Sequence, residues 1–174
     1  MRGTPSYAGR ILRVDLTKGK ISTEPTEDYT RRFIGGRGVN AWIMLSEVPR
    51  DAGCYDSDNL LIYGVGSLVG TLAPFASRIS IETKNVFTGG VGSANCGGHF
   101  GAEMKYAGFD HVIIKGRAPK PVYLWLEDGK AEVKDASHLW GKTTWETERE
   151  LREEHRDNEV RVSGIGPAGE NLVR

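Results

Sequence analysis

Apolar and polar residues change their spacing several times along this chain, and each change marks an expected element. In "GRILRVDLTKGKISTEP" (9–25), Ile11, Val14 and Leu16 fit a strand, Lys18-Gly19 a turn and "KISTE" the returning strand, so a hairpin is predicted. "TEDYTRRFIGG" (26–36) predicts a short helix stopped by Gly35 and Gly36. "VNAWIMLSEV" (39–48) predicts a second helix with a broad apolar face, stopped by Pro49. "NLLIYGVG" (59–66) is a continuous apolar run, the pattern of a strand buried on both faces. "SRISIET" (77–83) alternates, which predicts a half-buried strand. A short helix is expected over 98–108 and a strand over 111–116. "PVYLWLEDGKAEVKD" (121–135) predicts a hairpin turning at Asp128-Gly129, and 143–155 a polar surface helix opened by the capping box Thr143-x-x-Glu146. "EVRVSGIG" (159–166) is read as a last buried strand, and the final residues as the start of another that is cut short. Hairpins recur and strict βαβ alternation is absent, so the fold class is α+β.

Composition narrows the class. Lys plus Arg and Asp plus Glu number 23 each, which argues against a nucleic-acid binder carrying a basic excess. No apolar run approaches the roughly 18 to 20 residues of a membrane span, and the N-terminal residues lack a signal-peptide apolar core. The expected compartment is therefore the cytoplasm, with no membrane and no nucleic-acid partner. The 174 residues are read as one domain. Cys54 and Cys96 are too few for an ordinary iron–sulfur or structural zinc site, which takes four ligands. No paired carboxylates and no nucleophile–base arrangement can be picked out.

The unusual number is 23 glycines, gathered in "IGGRGVNA" (34–41), "GVGSLVGTLAP" (64–74), "TGGVGSANCGGHFGA" (88–102) and "GIGPAGEN" (164–171). The first and third are expected to run straight into a helix, where free N–H groups and missing Cβ atoms favour an anion; for any single loop, turns and close packing are the more ordinary explanation. None closes on Gly-Lys-Ser/Thr as a P-loop does, and "GGVGSANCGG" lacks the GxGxxG spacing. Arg78, at a loop-to-strand junction, has the planar fork to clamp a phosphate, or is a plain surface Arg. Asn95, before the glycine pair, suits a ligand contact or a helix cap. Cys96 reads as packing.

The motifs together resemble one family. "GRILRVDLTKGKI", "IGGRGVNAW", "NLLIYGVGSLVGTLAP", "SRISIETKNVFTGGVGSANCGGHFGAEMKYAGFDHVIIKGRAPKPVYLWL", "KDASHLWGK" and "GIGPAGENLVR" are similar, in that order, to the N-terminal domain of the tungsten-containing aldehyde ferredoxin oxidoreductases. The resemblance implies a base of two β-sheets on which two pyranopterins rest. Those pterins hold tungsten, or molybdenum, through their dithiolenes, and a [4Fe-4S] cluster lies nearby. It implies oxidation of an aldehyde to the acid with ferredoxin as electron acceptor. In the family's pattern Arg78, Asn95 and Gly97 contact pterin, and the Asn95 backbone carbonyl helps hold a magnesium ion that bridges the pterin phosphates. The cluster cysteines and the substrate pocket belong to later domains, so 1–174 is expected to be the N-terminal part of a longer enzyme, inactive alone. The alternatives are a stand-alone pterin-binding or assembly module, and part of a related enzyme such as an aromatic-thioester reductase. A homodimer is a further expectation from the family.

Overall fold

The computed structural model describes residues 6–173. β1 (Arg10–Asp15) and β2 (Lys20–Pro25) form the expected antiparallel hairpin. The helix expected over 26–36 shrinks to one turn, α1 (Glu27–Thr30). Gly35 and Gly36 do not stop it. They take φ +132° and +52°, and Gly36 is the N-cap of α2 (Arg37–Glu47), so these glycines begin the next helix.

β3 (Leu60–Val65), β4 (Ile79–Lys84) and β5 (Val91–Cys96) follow as an antiparallel meander. After α3 (Phe100–Tyr106), β6 (His111–Lys115) inserts between β3, to which it is antiparallel, and β1, to which it is parallel. The result is a six-stranded sheet in the order β2-β1-β6-β3-β4-β5. β7 (Val122–Glu127) and β8 (Lys130–Asp135) form a separate two-stranded sheet, turned at Asp128-Gly129, both with positive φ. The α+β class and two mostly antiparallel sheets are therefore as expected.

Strand alternation sends side chains to two cores. On one face Ile11, Leu60, Ile62 and Ile113 pack against Val39, Ile43 and Met44 of α2. On the other, Leu12, Val14, Val65, Ile79 and Val112 pack against Met104 of α3 and Phe109, with Leu124, Leu126 and Ala131 of the hairpin over them. A satellite core joins Leu151 of α4 (Thr144–His155) to Ala136 and Leu139. Helix α4 carries the expected capping box: Thr143 accepts from the Glu146 backbone, and Glu146 reaches back to the Thr143 N–H.

Three further expectations fail. The stretch read as a glycine-rich loop contains β5, whose exposed, small and polar residues hide the strand. Residues 159–166 form no strand: Val162 packs on the satellite core, Ile165 is 59% exposed, and glycines at 164 and 166 lack side chains to bury. The final strand is absent from the described residues as well; Pro167 fits the first turn of a short helix, α5 (Pro167–Glu170). Arg174 lies outside the described residues.

Candidate functional site

Because β3, β4 and β5 alternate in direction, the C-terminal ends of β3 and β5 and the start of β4 share one end of the sheet. Three glycine-rich loops meet there. Gly36 N–H donates to the Val65 carbonyl at 3.0 Å, and Gly35 pairs with Gly66 as an isolated bridge. A Cβ at Gly35 would lie 2.9 Å from Val65 O, so backbone touches backbone. The loop beyond β3 is tied down by Lys105 of α3, whose Nζ donates to the carbonyls of Gly66 (3.2 Å) and Ser67 (2.8 Å). Burial lowers the Lys105 pKa from its ordinary value, and Asp110 opposes that shift.

Register brings the expected site residues together. Ile79 pairs with Cys96, the last pair at that end of the β4–β5 ladder. One position further stand Arg78 on one chain segment and Gly97 on the other. Arg78 is exposed, and its guanidinium has no hydrogen-bond or ion-pair partner among the described residues. A Cβ at Gly97 or Gly98 would meet nothing within 4 Å, and Gly98, not Gly97, holds the left-handed φ of +90°. Asn95 pairs with Ser80, whose hydroxyl lies 3.5 Å from Asn95 Oδ1. It does not cap a helix: α3 starts after His99, with no side-chain cap. Cys96 ends the exposed strand with its thiol near the Gly97 carbonyl, 3.1 Å away.

Beneath this end, the sheet face under α2 turns from apolar to polar. His111, Gly64, Ser80 and Asn95 form one cross-strand row; Ile113, Ile62, Glu82 and Ser93 form the next. Asn40 of α2 sits over Gly64. Its amide donates to Glu82 and to the Ser80 carbonyl (3.3 Å), which leaves Oδ1 to accept from His111 Nδ1 at 2.7 Å. A Cβ at Gly64 would overlap both Asn40 Oδ1 and His111 Nδ1. Glu82 accepts from Ser93 Oγ at 2.7 Å and lies 3.8 Å from Arg37 Nε. Asn40, Glu82 and His111 are all fully buried. Burial pushes the His111 pKa down to about 4, with Asp110 opposing and Lys105 assisting. The ring is therefore neutral near pH 7, protonated at Nδ1, and Nε2 has no partner among the described residues.

The sequence reading missed this cluster and Lys105. It took the polar positions of 77–83 as the solvated side of a half-buried strand, yet Ser80 and Glu82 are buried. The available signal was Asn40, a polar residue inside the apolar stripe that Val39, Ile43 and Met44 define.

A family model described as aldehyde ferredoxin oxidoreductase, N-terminal domain, matches residues 11–174. Over 97% of its length the chain is 45% identical to a tungsten-containing aldehyde ferredoxin oxidoreductase of Pyrococcus abyssi, and it spans 28% of that protein. It is 34% identical to the WOR-like subunit of an aliphatic sulfonate oxidoreductase of Pyrococcus furiosus, over 97% of the chain and 29% of the relative. Among solved structures it superposes on a chain of the active-site complex BamBC of benzoyl coenzyme A reductase with a TM-score of 0.92. That likeness is at 38% identity and covers 95% of this chain and 26% of the other.

Proposed function

The chain belongs to the family of aldehyde ferredoxin oxidoreductase N-terminal domains, and from that premise we propose that it is the cofactor-supporting base of a tungstopterin oxidoreductase that oxidises aldehydes to carboxylic acids. The observation that carries this reading is the meeting of Arg78, Asn95 and Gly97 at one end of the sheet, in a chain so similar to tungsten enzymes. The residues fit the group. Arg78, with no partner for its guanidinium among the described residues, stands at the position across from Gly97, and the Cβ positions of Gly97 and Gly98 are open, which suits a phosphate and a hard cation against backbone.

In this reading Arg78 binds pterin phosphate through charge-assisted hydrogen bonds. Gly97 and Gly98 would let that phosphate approach the main chain, and the Asn95 carbonyl would help hold a magnesium ion there. A bound metal–pterin group would supply the two-electron redox chemistry. The chain's own residues would bind and orient it. In this reading the [4Fe-4S] ligands, the substrate pocket and the contact with ferredoxin belong to polypeptide outside this domain, as the family resemblance implies; the chain spans 28% of the Pyrococcus abyssi relative. Leu72 and Phe75, fully exposed on the loop beyond β3, suit a surface that such polypeptide covers. Among the described residues no helix is long and apolar enough to cross a membrane.

A second reading rests on the benzoyl coenzyme A reductase likeness: the same base serving reduction of an aromatic thioester. The deciding experiment isolates the protein anaerobically from its own cell and measures tungsten, pterin, dye-linked aldehyde oxidation and dye-linked turnover of an aromatic coenzyme A thioester. Tungsten with aldehyde turnover supports the first reading. Tungsten with thioester turnover alone selects the second. Absence of tungsten, molybdenum and pterin overturns both.

A further inference from the structure

Resting on that reading of Arg78, Asn95 and Gly97, we propose that Glu82 is a positioning residue for the cofactor: its buried carboxylate holds strand β5 where Asn95 and Gly97 meet the phosphate. β5 is the outermost strand of its sheet, paired only with β4, and most of its residues are exposed. Such a strand opens easily unless side chains tie it down. Two ties reach it on the face under α2. Ser80 Oγ to Asn95 Oδ1, at 3.5 Å, is at the limit of a hydrogen bond. Ser93 Oγ to Glu82 Oε1, at 2.7 Å, is short and directed at a carboxylate, so it is the stronger of the two.

Glu82 is a suitable anchor because it is itself fixed. Its carboxylate is fully buried, receives the Asn40 amide from α2, and has Arg37 at the helix start 3.8 Å away as counter-charge. A packing role alone does not call for a carboxylate there, because an apolar side chain of similar size carries no desolvation cost. The carboxylate instead joins elements distant in sequence that flank the glycine-rich loops. Arg37 and Asn40 stand in the first turns of α2, just after Gly35 and Gly36; Ser93 stands in β5; and Asn40 in turn rests on Gly64, near the end of β3. Beside the backbone contacts of Gly35 and Gly36 with Gly66 and Val65, this one side chain thus ties α2 to β5, two residues along β4 from the Ser80–Asn95 pair.

The test uses the holoprotein as isolated from its cell, with Glu82→Gln, Ser93→Ala and Ser93→Thr. Amide exchange is followed in β5 and, as the internal reference, in β6, together with tungsten and pterin content. Glu82→Gln and Ser93→Ala should speed exchange of those Val91–Cys96 amides that donate to β4 by about tenfold or more. The β6 amides should change less than about twofold, and tungsten content should fall several-fold. Ser93→Thr, which keeps the hydroxyl, should restore both readouts. Equal acceleration in β5 and β6 would reduce Glu82 to a general stabiliser and overturn the proposal. So would unchanged β5 exchange, or a loosened β5 with full tungsten. If Glu82→Gln does not fold, Ser93→Ala at the exposed strand carries the test. A wild-type protein without tungsten or pterin removes the cofactor reading and the positioning role together. Full wild-type loading with β5 unmoved in the variants removes the positioning role alone.

Discussion

Two polar clusters in this molecule use the same chemistry on opposite terms. Under α2, Asn40, Glu82 and His111 are sealed from water. Between α4 and the β7–β8 hairpin, Tyr123 donates to Glu154 at 2.7 Å, His138 approaches the same carboxylate at 3.3 Å, and His155 stacks on Trp125 with ring centroids 3.5 Å apart. Each cluster joins a helix to strands through a histidine and a glutamate. In the second, Glu154 and His138 are 40% and 47% exposed, so water can replace any partner that is lost. In the first there is no such substitute, and every deleted partner leaves a buried group unsatisfied. The difference teaches that burial, more than the number of hydrogen bonds, sets what a polar group is worth.

The largest break in that comparison is Gly64→Ala. The added methyl overlaps the Asn40–His111 hydrogen bond, so the substitution should both overpack and leave polar groups unpaired. A loss of about 3–5 kcal/mol, or failure to fold, is expected in chemical denaturation. An unperturbed midpoint would mean that Asn40 and His111 have free room to move.

Next comes acid. The His111 pKa is pushed down to about 4 in the fold, against about 6.5 in an unfolded chain. Between those values the unfolded state binds a proton that the folded state refuses. The stability linked to this group is therefore complete above about pH 6.5 and is lost as pH falls toward 4. His111→Gln, whatever its cost at pH 7, should flatten that slope in melts across the window. The surface cluster behaves differently: the Tyr123 hydroxyl holds the Glu154 carboxyl below the usual carboxylate range, so its contribution fades only at more acid pH, and solvent keeps it small.

A charge at the rim of the site gives an intermediate effect of another kind. Arg78→Ala should weaken cofactor retention by about 1.5–3 kcal/mol, read as tungsten content after dialysis, while the melting of metal-free protein stays put. Full tungsten after the same treatment would remove Arg78 from the site. The smallest expected effect is Tyr123→Phe. It deletes the hydroxyl between Glu154 and His155 and should cost less than about 1 kcal/mol, because both partners reach water. A loss as large as that of Gly64→Ala would erase the contrast between the clusters.

The same contrast governs what could be read before the fold was known. The buried strands β3 and β6 announce themselves by apolar runs, and α4 by its capping box, since local pattern and tertiary environment agree there. Arg78, Asn95 and Gly97 were singled out by motif resemblance alone, and the register of β4 and β5 sets them near one another. β5 itself was hidden, because an exposed edge strand of Gly, Ser, Ala and Asn carries no alternation. Glu82 was hidden for the opposite reason. Alternation identified its face correctly, but a polar face signals solvent unless something lies over it, and the covering residue, Asn40, is 42 positions away. The expected strand over 159–166 shows the converse error: apolar residues without a partner strand do not make one.

The insertion of β6 into the middle of the sheet has a consequence in time. The β1–β2 hairpin and the β3–β4–β5 meander each form from neighbouring sequence, yet in the finished order nothing but β6 joins them. The clasp that fixes the start of β1, Ala8 N–H to Asp110, spans 102 residues. Closing so long a loop is slow, and parallel pairing cannot begin until the later strand has been made. On the ribosome, both local units must therefore wait with open edges, at β1 and at β3, until residues 111–115 emerge. During that interval each edge is a template for the wrong partner. Synthesis speed across residues 85–115 and the supply of chaperones should then govern the yield of soluble protein more than the final stability does.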